Sequence, residues 1–82
     1  RLHVPDLKDR REDIPLLIDH FLSQIASDYG NAQTKINADA VKELQSYDWT
    51  GNIRELRNVI ERLVILGEGT ITKKDVKNYA GF

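Results

Sequence analysis

Arg54, Arg57 and Arg62 lie within "YDWTGNIRELRNVIERLVIL", Tyr47 to Leu66, and their type and spacing make them the first candidates for chemistry. A guanidinium is always charged and presents planar donors that match carboxylate and phosphate oxygens. Three uses are open to such a set: a solvated helix surface, a helix that reads DNA, or one arginine offered to an anionic ligand held mostly by another part of the protein. Arg57 has Glu61 four residues on. At that spacing helical side chains meet, so a solvated surface pair worth at most a few tenths of a kcal/mol accounts for it. The helical neighbours of Arg54 are Thr50, Gly51, Arg57 and Asn58, with no acid among them. It also falls in the first turn, where outward N–H groups and the helix dipole oppose a cation unless an anion comes to meet it. Arg62 likewise has no acid at three or four residues. On the residues alone, both the surface reading and the anion-binding reading of Arg54 stay open.

Other chemistry is poorly represented. His3 and His20 are the only histidines, fall in different predicted elements, and have no cluster of further ligand types beside them, so a half-exposed helix position is the expectation for His20. Glu12 and Asp13 are adjacent, hence on different sides of a helix, and suit a helix N-terminus as charges that complement the dipole. The sequence contains no glycine-rich phosphate loop, nucleophile elbow or Ser/His/Asp set, which implies no complete catalytic apparatus. We expect no catalytic residue, no metal site and no tightly bound cofactor in this stretch.

The elements that must position the arginines are legible from apolar spacing. Residues 1–9, "RLHVPDLKD", contain Pro5 and read as an extended lead-in. Asp9 is a candidate cap, with Glu12, Asp13 and Pro15 near the start of a helix. Its stripe is Ile14, Leu17, Ile18, Phe21, Leu22 and Ile25, and Gly30 stops it after Tyr29. Ile36 and Asn37 offer a staple and an N-cap for a second helix carrying Ala40, Val41 and Leu44 and ending near Tyr47. Asn52 with Glu55 predicts a capping box for the third helix, whose buried stripe is Ile53, Leu56, Ile60, Leu63 and Val64 and which Gly67 ends. After "GEGT", Thr72 with Asp75 repeats the box ahead of Val76 and Tyr79. The expected fold is all-α, a small four-helix bundle, with Phe21, Trp49 and the aliphatic stripes as its core.

Size and charge narrow the partners. The chain has 82 residues, room for one small core only. No apolar run approaches the ~20 residues that cross a bilayer, so no membrane partner is expected, and the absence of cysteine suits a reducing compartment such as the cytoplasm. Twelve Lys and Arg against thirteen Asp and Glu give a net charge of -1. A domain that holds nucleic acid by counterion release normally carries a clear basic excess, which argues against DNA binding by this segment itself.

"DLKDRREDIPLLIDHFL", "YDWTGNIRELRNVIERLVIL" and "ITKKDV", in that order, resemble the C-terminal helical lid of the AAA+ ATPase domain of sigma-54-dependent transcriptional activators, the bacterial enhancer-binding proteins of NtrC-like type. The resemblance spans nearly the whole chain. It implies that Gly51, Asn52, Arg54, Glu55 and Leu56 form the sensor 2 motif, whose arginine reaches the nucleotide phosphates. It further implies that Leu7, Lys8, Arg10, Asp13 and Ile14 match the segment bordering the adenine, so the cofactor-binding candidates are Arg54, Ile14 and Arg10. Thr50 stands where the family usually has Pro, and Lys8 where it usually has Arg; neither departure alters the match at Arg54.

The implied chain is a single lid unit over residues 1–82, part of a longer cytoplasmic protein of response-regulator kind. This stretch is not itself an enzyme, whereas the parent is an ATPase using ATP with Mg²⁺. Its implied partners are the upstream ATPase core of the same chain and neighbouring subunits of a homo-oligomeric ring. Sigma-54 RNA polymerase and DNA are reached through other parts of the parent. Two alternatives are a small helix-turn-helix DNA-binding domain, which Glu55 and Glu61 disfavour by interrupting the basic face of the third helix, and a helical protein-interaction module.

Overall fold

The computed structural model describes residues 11–47 and 53–80. The expectations for the lead-in, Asp9, His3, Leu7, Lys8, Arg10, Trp49, Thr50, Gly51 and Asn52 fall outside them. Four helices are present among the described residues: α1 (Ile14–Tyr29), α2 (Ala38–Ser46), α3 (Ile53–Leu66) and α4 (Lys73–Tyr79). They form the all-α bundle that the apolar spacing predicts. α1 packs on α2 and α3, and α4 packs on the same two helices from the other end of the chain.

Local chemistry explains where several of the helices begin and end. A single 3₁₀ turn over residues 11–13 leads into α1, with Pro15 in its first turn, where a missing N–H costs little. Gly30 ends α1 in the left-handed region at φ 69°, with its N–H on the Ser27 carbonyl and the Asn31 N–H on that of Ala26, a Schellman arrangement. Asn37 takes the N-cap position of α2 in extended backbone, without a side-chain capping bond. Thr72 and Asp75 make both bonds of the capping box of α4: Asp75 N–H to Thr72 Oγ1 at 3.1 Å, and Thr72 N–H to Asp75 Oδ2 at 3.0 Å. Gly67 follows α3 as expected, for a steric reason: a Cβ there lies 2.8 Å from the Leu63 carbonyl oxygen.

The core joins all four helices. Ile14, Ile18, Phe21, Leu22 and Ile25 of α1 are buried together with Ala40 and Leu44 of α2, Leu56, Val59, Ile60 and Leu63 of α3, and Val76 of α4. Leu17, Val41, Val64 and Tyr79 pack against this cluster half-buried. Ile53 departs from the predicted stripe and is 40% exposed, because the first residue of α3 stands at the rim, where the described helices do not cover it.

One contact has no helical signature in the sequence. Ile36 and Ile71 form an isolated parallel bridge, in which Asn37 N–H donates to the Ile71 carbonyl at 2.9 Å and Ile71 N–H to the Lys35 carbonyl at 2.8 Å. The bridge sits just ahead of both α2 and α4, so it sets their starts side by side and buries Ile71 completely. Pairing the two connections satisfies backbone groups that would otherwise need water at the edge of the core.

Candidate functional site

Arg54 is the second residue of α3 and is exposed. The opposite face of the same helix carries Leu56, Val59, Ile60 and Leu63, each between 0% and 4% exposed, so the core fixes the rotation of α3 about its axis. Helical periodicity then places Arg54, Asn58, Arg62 and Ile65 along the outer side, and all four are exposed. Glu55 also lies in the first turn, where a carboxylate complements the helix dipole.

The other two arginines of α3 have different occupations. Arg57 does form the expected pair with Glu61, Nη1 to Oε1 at 3.2 Å. The expectation of a simple surface pair is nevertheless too small: its Nη2 meets Asp28 Oδ2 at 3.0 Å and its Nε donates to Gln24 Oε1 at 3.0 Å, both on α1. Spacing along one helix cannot show a partner on another. Glu61 completes the cluster by accepting from the Tyr29 hydroxyl at 2.7 Å through its second oxygen. That hydrogen bond, with desolvation and the carboxylate charge behind it, raises the Tyr29 pKa above its ordinary value. Arg62 donates through Nη1 to the Ala80 carbonyl at 2.7 Å, with the Tyr79 carbonyl at 3.5 Å, and so closes the C-terminal end of α4.

Of the residues taken as bordering a base, Arg10 lies outside the described residues and Ile14 is fully buried in the core at the first position of α1. Arg11 ties this entry segment to α2: its carbonyl accepts from Gln45 Nε2 at 2.8 Å and its Nη2 donates to the Tyr47 carbonyl at 3.4 Å. Burial and then a hydrogen bond to Glu43 raise the Tyr47 hydroxyl above its usual pKa. His20 is exposed, its ring centroid 5.4 Å from that of Phe21. Among the described residues no three His, Asp or Glu side chains are grouped so as to hold a metal ion, and no helix is long and apolar enough to cross a membrane.

Residues 8–80 match the family model described as the AAA+ ATPase lid domain. The chain is 50% identical over 68 residues to the nitrogen assimilation regulatory protein NtrX of Azorhizobium caulinodans, a match covering 83% of this chain and 15% of that protein. It is also 50% identical over 68 residues to the DNA-binding transcriptional activator HyfR of Escherichia coli, covering 83% of this chain and 10% of that one. The fold superimposes on NtrX of Brucella abortus, solved in complex with ADP and with ATP, at a TM-score of 0.78 and 45% identity, covering 87% of this chain and 17% of that chain. This chain therefore spans less than a fifth of the length of each of these relatives.

Proposed function

Because the chain belongs to the AAA+ ATPase lid domain family, of the kind found in sigma-54-dependent transcriptional activators, we propose that it closes over ATP in a longer ATPase and senses the state of the nucleotide through Arg54. The observation that carries this reading is an exposed arginine in the first turn of a helix whose opposite face is locked into the core. A rigid-body movement of the bundle then delivers one guanidinium to the phosphates, where its planar donors match anionic oxygens in a charge-assisted contact. NtrX of Brucella abortus, with the same fold, has been solved with both ADP and ATP, which supports a nucleotide as the anion.

In this reading residues 1–82 act as one lid unit of the parent and contribute no group that performs hydrolysis. Phosphate-loop and Mg²⁺-binding residues belong to the upstream core, neighbouring subunits complete a ring, and sigma-54 RNA polymerase and DNA are engaged elsewhere in the parent. Arg10 is assigned to the adenine side. Ile14, whose side chain is enclosed, serves that side by anchoring the start of α1 in the core.

A DNA-reading α3 is less well supported. Arg57 is held by Gln24, Asp28 and Glu61, and Arg62 by the end of α4, so both cations are engaged within the bundle. Arg54→Ala in the intact ATPase domain tests the proposal: weakened ATP binding supports it, and binding equal to wild type rejects it.

A further inference from the structure

The cluster built on Arg57 does more than decorate a surface. Each nitrogen of the Arg57 guanidinium has an acceptor: Nε on Gln24, Nη1 on Glu61 and Nη2 on Asp28. Tyr29 closes the set by donating to Glu61. The network thus runs from the last two turns of α1 to the middle of α3 and begins three residues, one turn, beyond Arg54. Elsewhere α1 and α3 meet through apolar side chains, which set the face of α3 that is turned inward, but apolar burial is non-directional and defines the finer slide and tilt of the two helices less sharply than hydrogen bonds do. A planar fork with three fixed donor directions does fix them, and a lysine at the same place cannot.

We infer that Arg57 is the positioning residue for Arg54: by locking α3 to the C-terminal part of α1, it sets where the Arg54 guanidinium arrives when the lid closes. This inference rests on the phosphate role proposed for Arg54. A misplacement of about 1 Å in a group that must meet a ligand is costly even when the fold survives. Arg57 touches no nucleotide in this scheme, so its effect must pass through Arg54, and that dependence is measurable.

The experiment is a double-mutant cycle on ATP affinity in the intact ATPase domain, comparing wild type, Arg54→Ala, Arg57→Ala and the double variant, with thermal melts of each. Arg57→Ala is expected to weaken ATP binding about three- to tenfold in the wild-type background and by less than about twofold once Arg54 is gone. Arg57→Lys is expected to recover little, and Asp28→Asn, which neutralises one arm and leaves Arg57 in place, to show the same dependence on Arg54 with a smaller loss; this milder variant carries the test if Arg57→Ala fails to fold. Arg54→Ala that weakens binding while Arg57→Ala and Asp28→Asn do nothing, or cost the same factor in both backgrounds, overturns this inference alone. A silent Arg54→Ala overturns the phosphate reading and this inference with it.

Discussion

Arg62 on α3 donates through Nη1 to the carbonyl oxygen of Ala80 at 2.7 Å, so a cation of one helix closes the C-terminus of another. The last carbonyls of a helix have no partner within it, and a nearby cation both bonds them and opposes the dipole. α4 has only seven residues and depends on such outside support. Arg62→Ala is expected to destabilise the chain by about 1 to 2 kcal/mol, since a charged donor to buried backbone is lost. Urea unfolding measures the loss, and amide exchange should show α4 opening first. A cost equal to that of Lys74→Ala, an exposed cation of the same helix, contradicts the assignment.

The bridge between Ile36 and Ile71 is the second point on which the fold depends. Ile71 is 0% exposed and, from the connection that leads into α4, bridges to the connection that leads into α2. Ile71→Ala leaves a cavity and loosens the bridge, and about 2 to 5 kcal/mol of stability should go with it. Leu16, 74% exposed on the outer face of α1, is the comparison; Leu16→Ala should stay within about 0.5 kcal/mol of wild type. Equal melting temperatures for the two variants would show that the bridge is incidental.

The tyrosines give a pH dependence with a definite sign. Both Tyr29 and Tyr47 have raised pKa values, the first through its hydrogen bond to Glu61 and the second through burial. The folded chain therefore keeps these protons after the unfolded chain has begun to lose them at about 10. Their contribution is fully present below pH 10 and is lost as pH rises through the folded values. The double variant Tyr29→Phe/Tyr47→Phe should lose stability less steeply above pH 10 than wild type in denaturant unfolding. A parallel decline shows that lysines and backbone effects dominate the alkaline limb.

What could be read in the sequence was whatever acts within one element. The α1 stripe, the Gly30 stop and the Thr72–Asp75 box all depend on residues three or four apart, and the structure has them as expected. Ile71 was missed because it stands in a turn between helices, with no periodic neighbour to mark it as core, and its burial comes from a bridge to a segment 35 residues earlier. The further contacts of Arg57 and Arg62 are invisible in the sequence for a related reason. Their partners are on α1 and α4, and a test along α3 sees only Glu61 for one and nothing for the other. Ile53 matched the α3 stripe yet lies exposed, since periodicity marks a face of a helix and not how far its neighbours extend. The placement of Arg54 on the open side of the first turn of α3 was legible, because both the apolar stripe and the helix start are local signals.

The central claim is that Arg54 reaches nucleotide phosphate, and ATP affinity of the intact ATPase domain carrying Arg54→Ala tests it most directly. An exposed first-turn cation adds little to helix stability, so thermal melts should match wild type. A charge-assisted contact to phosphate is commonly worth about 1.5 to 3 kcal/mol, so affinity should fall roughly ten- to a hundredfold. Lys42→Ala, on the exposed side of α2, provides the control and should bind ATP as wild type does. ATP affinity of Arg54→Ala indistinguishable from wild type and from Lys42→Ala would contradict the account and leave Arg54 an ordinary surface residue.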